Sequence, residues 1–163
     1  MLDISKKTYT EADLVEQITK YFVAYSRGNG LTVITDAPAN KINMIKQVAL
    51  SNKDGCTVHI AIHCDYSGAP SGTLPLYKSE AGRRLAVALN KRVMKDMSMR
   101  TRGVCHRTDL FELNSTNAVA VIYECGSIKA DLRKMLDAKH YGRALAKGLC
   151  TDYYGMKFKG KMK

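Results

Sequence analysis

The chain has 163 residues, 45% of them hydrophobic, with 26 Lys and Arg against 15 Asp and Glu. That suffices for one domain with its own core, and such a chain is too apolar and too evenly charged to be a disordered polymer. No stretch approaches the roughly 18 uninterrupted apolar residues of a membrane span. Met1 to Lys7 also lack the apolar segment of a secretory leader, so the expectation is synthesis in the cytoplasm without a signal peptide.

The net charge of +11 favours an anionic partner, because the summed field steers acidic ligands toward the surface. Nucleic acid, a membrane surface and a wall polymer all satisfy that charge. The basic residues are not interleaved with aromatics and no nucleic-acid motif is present, which argues against nucleic acid. The five cysteines are scattered and none forms a C-x-x-C pair, so they read as reduced, mostly buried thiols rather than a zinc ribbon or redox centre.

The first helix should start after Thr10, with Asp13 in capping-box position and an apolar stripe of Leu14, Ile18, Phe22 and Tyr25. Gly28-Asn29-Gly30 ends it. Leu31 to Thr35 reads as a short strand, and Ile42, Ile45, Val48 and Ala49 mark a second helix stopped near Lys53 to Gly55. Val58 to Ile62 is an apolar strand broken only by His59. Gly72 to Tyr77 is another, which Pro75 pushes toward an edge or bulge. A third helix spans about Ser79 to Met97. Asp109 to Leu113 and Ala118 to Tyr123 read as strands, the second apolar on both faces like a central strand. Helices from Ala130 to Leu136 and from Lys139 to about Leu149 follow, and the tail K-F-K-G-K-M-K reads as frayed and electrostatic. Alternating strands and helices predict a single α/β domain, with a mostly parallel central sheet and helices on both faces.

In such sheets ligands bind at the carboxyl ends of the strands. Two strands end there in residues an ordinary core would not choose: V-H-I-A-I-H-C-D at His63, and A-V-I-Y-E-C-G at Glu124. A neutral imidazole beside a carboxylate suits a metal site with a general base, although either residue alone is more often structural. His59 shares a strand face with His63, but four residues span about 13 Å along a strand, so both cannot bind one ion. His59 is expected to be a partly buried histidine with a local partner.

From Val58 to Leu149 the sequence resembles the catalytic domain of the zinc-dependent N-acetylmuramoyl-L-alanine amidases, a group that includes phage endolysins and sporulation amidases. The resemblance rests on ordered pieces: V-H-I-A-I-H-C-D, S-G-A-P-S-G-T-L-P-L-Y, A-G-R-R-L-A, T-R-G-V, F-E-L-N-S-T and A-V-A-V-I-Y-E-C-G. It implies an amidase-like catalytic domain over 1–153 followed by a basic tail over 154–163. It implies a zinc cofactor with His63 and Glu11 as metal ligands and Glu124 as the catalytic base. The implied reaction is hydrolysis of the amide between N-acetylmuramic acid and L-alanine in bacterial cell-wall peptidoglycan, as in a phage endolysin.

The family's first ligand histidine, in a Gly-His motif after its first strand, has no counterpart here. Met1 to Ser5 offer at most a stub of strand. Either the sequence starts late or the protein has dropped one ligand, which leaves a non-catalytic wall-binding or interaction protein on the amidase fold as the alternative. His106 and His140 are expected to be surface or hydrogen-bonding residues rather than substitute ligands. Ser127 stands where the family often has an aromatic. The basic residues Lys91, Arg92, Lys95, Arg100 and Arg102, with the tail, are expected to approach anionic envelope polymers.

Overall fold

The computed structural model describes residues 8–36 and 42–163; the expected strand stub at Met1 to Ser5 lies outside them. Helix α1 (Glu11–Gly28) starts as its sequence dictates. Thr10 Oγ1 accepts from the Asp13 amide at 3.2 Å, while Asp13 takes the Thr10 amide at 2.8 Å, closing a capping box. Asn29 ends it, its side-chain amide donating to the Tyr25 carbonyl. Helix α2 (Met44–Lys53) follows an Asn43 cap, and α3 (Glu80–Met97) follows Ser79, whose hydroxyl accepts from the Gly82 amide.

Four strands form one sheet in the order β1-β4-β2-β3: β1 (Val58–Asp65), β2 (Leu74–Tyr77), β3 (Cys105–His106) and β4 (Val119–Ser127). Strand β1 runs parallel to β4, β2 antiparallel to β4, and β2 parallel to β3. Alternation sorts each strand by face. Val58, Ile60 and Ile62, with Val121, Tyr123 and Cys125 of β4, join the main core beneath α1, α3 and α6 (Ala138–Lys147). Ala61, Ala120 and Ile122 turn to the opposite face. There they meet Leu110 and Leu113 at the short helix α4 (Phe111–Ser115). Helices thus cover both faces, as the α/β reading requires. On the main face α1 and α6 nearly touch: a Cβ on Gly142 would sit 2.6 Å from the Phe22 amide nitrogen and 2.7 Å from the Ile18 carbonyl, so only glycine fits.

Several local expectations need correction. Asp109 to Leu113 is not a strand; the chain from Phe111 is helical, because Leu110 and Leu113 at a spacing of three reach the small core together. Leu31 to Thr35 belongs to no strand, and the Val33 carbonyl instead accepts from the Arg27 guanidinium at 2.8 Å. Pro75 lies in an internal strand rather than at an edge. The backbones of Thr73 and Tyr77 bond toward the Arg100–Arg107 segment, so Pro75, between them, faces the same side. Its missing N–H is therefore lost from the short outer pairing, not from β4. After α5 (Leu132–Leu136) and α6 the chain makes a π-helical segment, Gly148–Tyr153. The tail then packs instead of fraying. Phe158 lies against Tyr25 and under the Arg143 guanidinium, and the Lys159 and Lys163 amides bond to Asn29 and Ala24. The lysines masked an aromatic anchor. No helix among the described residues is long and apolar enough to cross a membrane.

Candidate active site

Parallel pairing of β1 and β4 decides the site, because it puts His63 directly beside Glu124 in register. Neighbours in register project to the same face, so imidazole and carboxylate share one rim of the sheet. The third residue comes from far away in sequence. Glu11, in the first turn of α1, reaches the end of β1, where its Oε1 lies 2.9 Å from His63 Nδ1 and accepts the Cys64 amide at 3.1 Å. His63 and Glu11 are each 43% exposed in their side chains, which leaves them open to a ligand. Glu124 lies deeper at one atom: its Oε2 is buried and finds no hydrogen-bond partner among the described residues.

The electrostatics follow from these positions. Burial pushes the Glu124 carboxyl up to about 7; the nearby His63 lowers it, while Asp65 and Glu11 raise it further. His63 is raised to about 9, foremost by the Glu112 carboxylate, against burial and with Glu11 adding to the rise. Glu112 is the residue sequence reasoning missed. It is only 3% exposed, with Oε1 at 3.6 Å from His59 Nε2 and Oε2 at 3.8 Å from His63 Nε2. Burial alone would raise its carboxyl, but His59 and His63 hold it down at about 2. The buried His59 Nε2 faces Glu112 at ion-pair distance but forms no hydrogen bond among the described residues. The available signal was a glutamate between apolar neighbours in L-F-E-L, hidden by reading that run as a strand.

The rim is completed by two networks. Arg102 binds Asp65 at 2.7 Å and the Gly72 carbonyl at 3.1 Å. Asp131 gathers the Ser71 hydroxyl at 2.6 Å and the Gly72 and Ser127 amides at 2.9 Å, tying the loop after β1 to the end of β4. Gly126, at φ +142°, permits this, since a Cβ there would meet the Asp131 carboxylate at 2.7 Å. Ser127 is therefore fully buried and serves the backbone network.

A catalytic zinc ion takes three protein donors plus water, with donors about 2.0–2.2 Å away and hence about 3.3 Å from one another. The 2.9 Å between Glu11 Oε1 and His63 Nδ1 needs only a small opening to meet that spacing. These two fit. Among the described residues no group of three His, Cys, Asp or Glu side chains could hold a metal, so a third donor is not at hand. His106 Nε2 contacts the Lys78 carbonyl at 2.9 Å, and His140 pairs with Asp137 at 3.4 Å, so neither substitutes.

With this geometry in view, comparison with known families matches residues 3–151 to the model of N-acetylmuramoyl-L-alanine amidase, Amidase_3. The chain belongs to that family. The fold agrees across solved amidases. N-acetylmuramoyl-L-alanine amidase AmiC2 of Nostoc punctiforme superposes with a TM-score of 0.77 at 17% identity, over 85% of this chain and 82% of that one. The catalytic domain of CwlV, an amidase from Bacillus (Paenibacillus) polymyxa var. colistinus, gives 0.76 at 22% identity, over 96% and 91%. The catalytic domain of the CD27L endolysin targeting Clostridia difficile gives 0.71 at 20%, over 90% and 84%. No curated protein matches the chain. As an amidase-family domain, the chain carries its distinctive polar residues where the fold predicts, at the carboxyl ends of β1 and β4.

Proposed function

We propose that the protein hydrolyses the amide between N-acetylmuramic acid and L-alanine in peptidoglycan, with His63 and Glu11 as zinc ligands and Glu124 as the catalytic base. The observation that carries this is the adjacency of His63 and Glu124 in register, with Glu11 2.9 Å from the imidazole. A zinc ion held by Glu11 Oε1 and His63 Nδ1 would acidify a water to a pKa of about 7 and polarise the scissile carbonyl.

The chain's own residues do the rest. Without metal, burial holds the Glu124 carboxyl up at about 7, and a bound cation would lower it toward the carboxylate form that a general base needs. In this reading the Glu124 carboxylate takes a proton from the attacking water. It then returns that proton to the departing amine nitrogen of L-alanine, so its protonation state is restored. Burial keeps competing water from the carboxylate. Asp65 and Arg102, paired across the rim, hold the loop mouth through Gly72.

The lack of a third donor among the described residues favours a second reading, a wall-binding or interaction protein on the amidase scaffold. Zinc quantification on purified protein, with turbidity loss of cell-wall suspensions, separates the two. Stoichiometric zinc and lysis lost in Glu124→Gln support the amidase. Metal-free protein that binds walls equally well with and without Glu124→Gln supports the module. An endolysin role within phage lysis is tested by lysis when the chain is added from outside to susceptible cells.

A further inference from the structure

We propose that Glu112 is a positioning residue, whose buried carboxylate between two histidines fixes the His63 ring with Nε2 bearing a proton and Nδ1 turned toward Glu11. The inference rests on the amidase reading for its use of His63 as a ligand, but its structural basis is independent of any ion.

Glu112 stands among apolar neighbours. Leu110 and Leu113 beside it pack on Leu76, Ala120 and Ile122, and its side chain is 4% exposed. A carboxylate taken out of water at such a place costs several kcal/mol unless partners compensate it. The basic groups against it are the two histidines of β1, Oε1 facing His59 Nε2 at 3.6 Å and Oε2 facing His63 Nε2 at 3.8 Å. His59 and His63 lie on one strand face with the small Ala61 between them, which leaves room for one carboxylate to span the interval.

The consequence is orientational. The two ring nitrogens point in nearly opposite directions, so an acceptor at Nε2 commits Nδ1 to the other side, where Glu11 lies at 2.9 Å. A histidine that ligates a metal through one nitrogen typically donates its other N–H to a carboxylate, which selects the tautomer and strengthens the ligand. Glu112 is in position to be that carboxylate. His59, with a side chain 12% exposed, faces its far oxygen at 3.6 Å, so the carboxylate sits between the two imidazoles. The 3.6 and 3.8 Å contacts exceed direct hydrogen-bond length and shorten to it by a shift of under 1 Å.

The test compares the full chain with Glu112→Leu, which preserves packing and removes the acceptor. One readout is exchange of the His63 Nε2–H in ¹⁵N-histidine-labelled protein without metal; the other is zinc affinity by competition with a chromophoric chelator. The expected result is a slowly exchanging Nε2–H in the wild type, its loss in the variant, and a fall in zinc affinity of about 10- to 100-fold. Unchanged ring-proton exchange in the variant overturns the proposal. Should the wild type bind no zinc, the ligand reading fails while the ring-proton comparison still decides the role of Glu112. Should Glu112→Leu not fold, Glu112→Gln carries the same comparison with a weaker acceptor of equal shape. Faster Nε2–H exchange there supports the proposal, and exchange identical to wild type overturns it.

Discussion

Asp131 offers a direct test of how the rim is held together. Its residue is 6% exposed, and its two oxygens accept three bonds, from the Ser71 hydroxyl at 2.6 Å and from the Gly72 and Ser127 amides at 2.9 Å. Asp131→Ala removes the acceptor and leaves two buried backbone N–H groups unpaired. Each lost bond to a charged acceptor is worth about 1.5–3 kcal/mol. The Ser71 hydroxyl can turn to water, so the two amides dominate, and the expected loss is about 3–5 kcal/mol. For a domain of this size each kcal/mol lowers Tm by about 2–4 °C, which makes a drop of about 10 °C the expected outcome. Urea titration and thermal melts followed by circular dichroism measure both quantities. Asp131→Asn should cost less, because one oxygen still accepts. A loss under about 1 kcal/mol for Asp131→Ala would refute the view that this carboxylate ties the loop after β1 to β4.

Other expectations follow from the same contacts. In metal-free protein His63 is raised to about 9 from an ordinary 6.5, so its contribution to stability is complete below pH 6.5 and is lost as pH rises through 9. Melts with a chelator between pH 6 and 10 should show a decline that His63→Gln largely removes; equal declines in both proteins would contradict it. Glu112, held at about 2 against an ordinary 4.5, contributes above pH 4.5 and loses that contribution as pH falls through 2. Acid titration of Glu112→Leu should therefore show a shallower loss of structure than the wild type. Phe158→Ala should destabilise by about 2 kcal/mol through lost contacts with Tyr25 and Arg143, read by urea midpoint; a neutral result would mean the tail adds no stability. Glu124→Gln should lower wall hydrolysis by about 10²- to 10⁴-fold with the melt preserved, and retained lysis would remove Glu124 from the base role. Raising salt from low to physiological strength should weaken wall binding through Lys91, Lys95 and Arg100, and binding indifferent to salt would discard the electrostatic approach.

Arg92 and Arg102 no longer belong to that basic surface. Arg92 is held by Asp152 at 2.7 Å and by Asp96, and Arg102 by Asp65. A run of basic residues in sequence does not disclose which of them meet acids 37 or 60 residues away.

Local chemistry was legible from the residues alone wherever its cause was local. The Thr10–Asp13 box, the Ser79 start of α3 and the apolar β4 depend on neighbours within a few positions, and the chain carries those neighbours with it. The ends of β1 and β4 were also readable, since His63 and Glu124 interrupt apolar runs and the parallel-sheet rule gives both the same rim. Tertiary packing decided the rest. Whether Leu110 to Leu113 is strand or helix depends on the small core it meets, and so does the burial of Glu112. That Pro75 sits inside the sheet depends on how short β3 is. The partnership of residues 11, 63 and 112 comes from three separate segments, and no periodicity links them. Hydrophobic spacing fixes which face of each element is buried; only the assembled sheet decides what each polar group, once buried, will find.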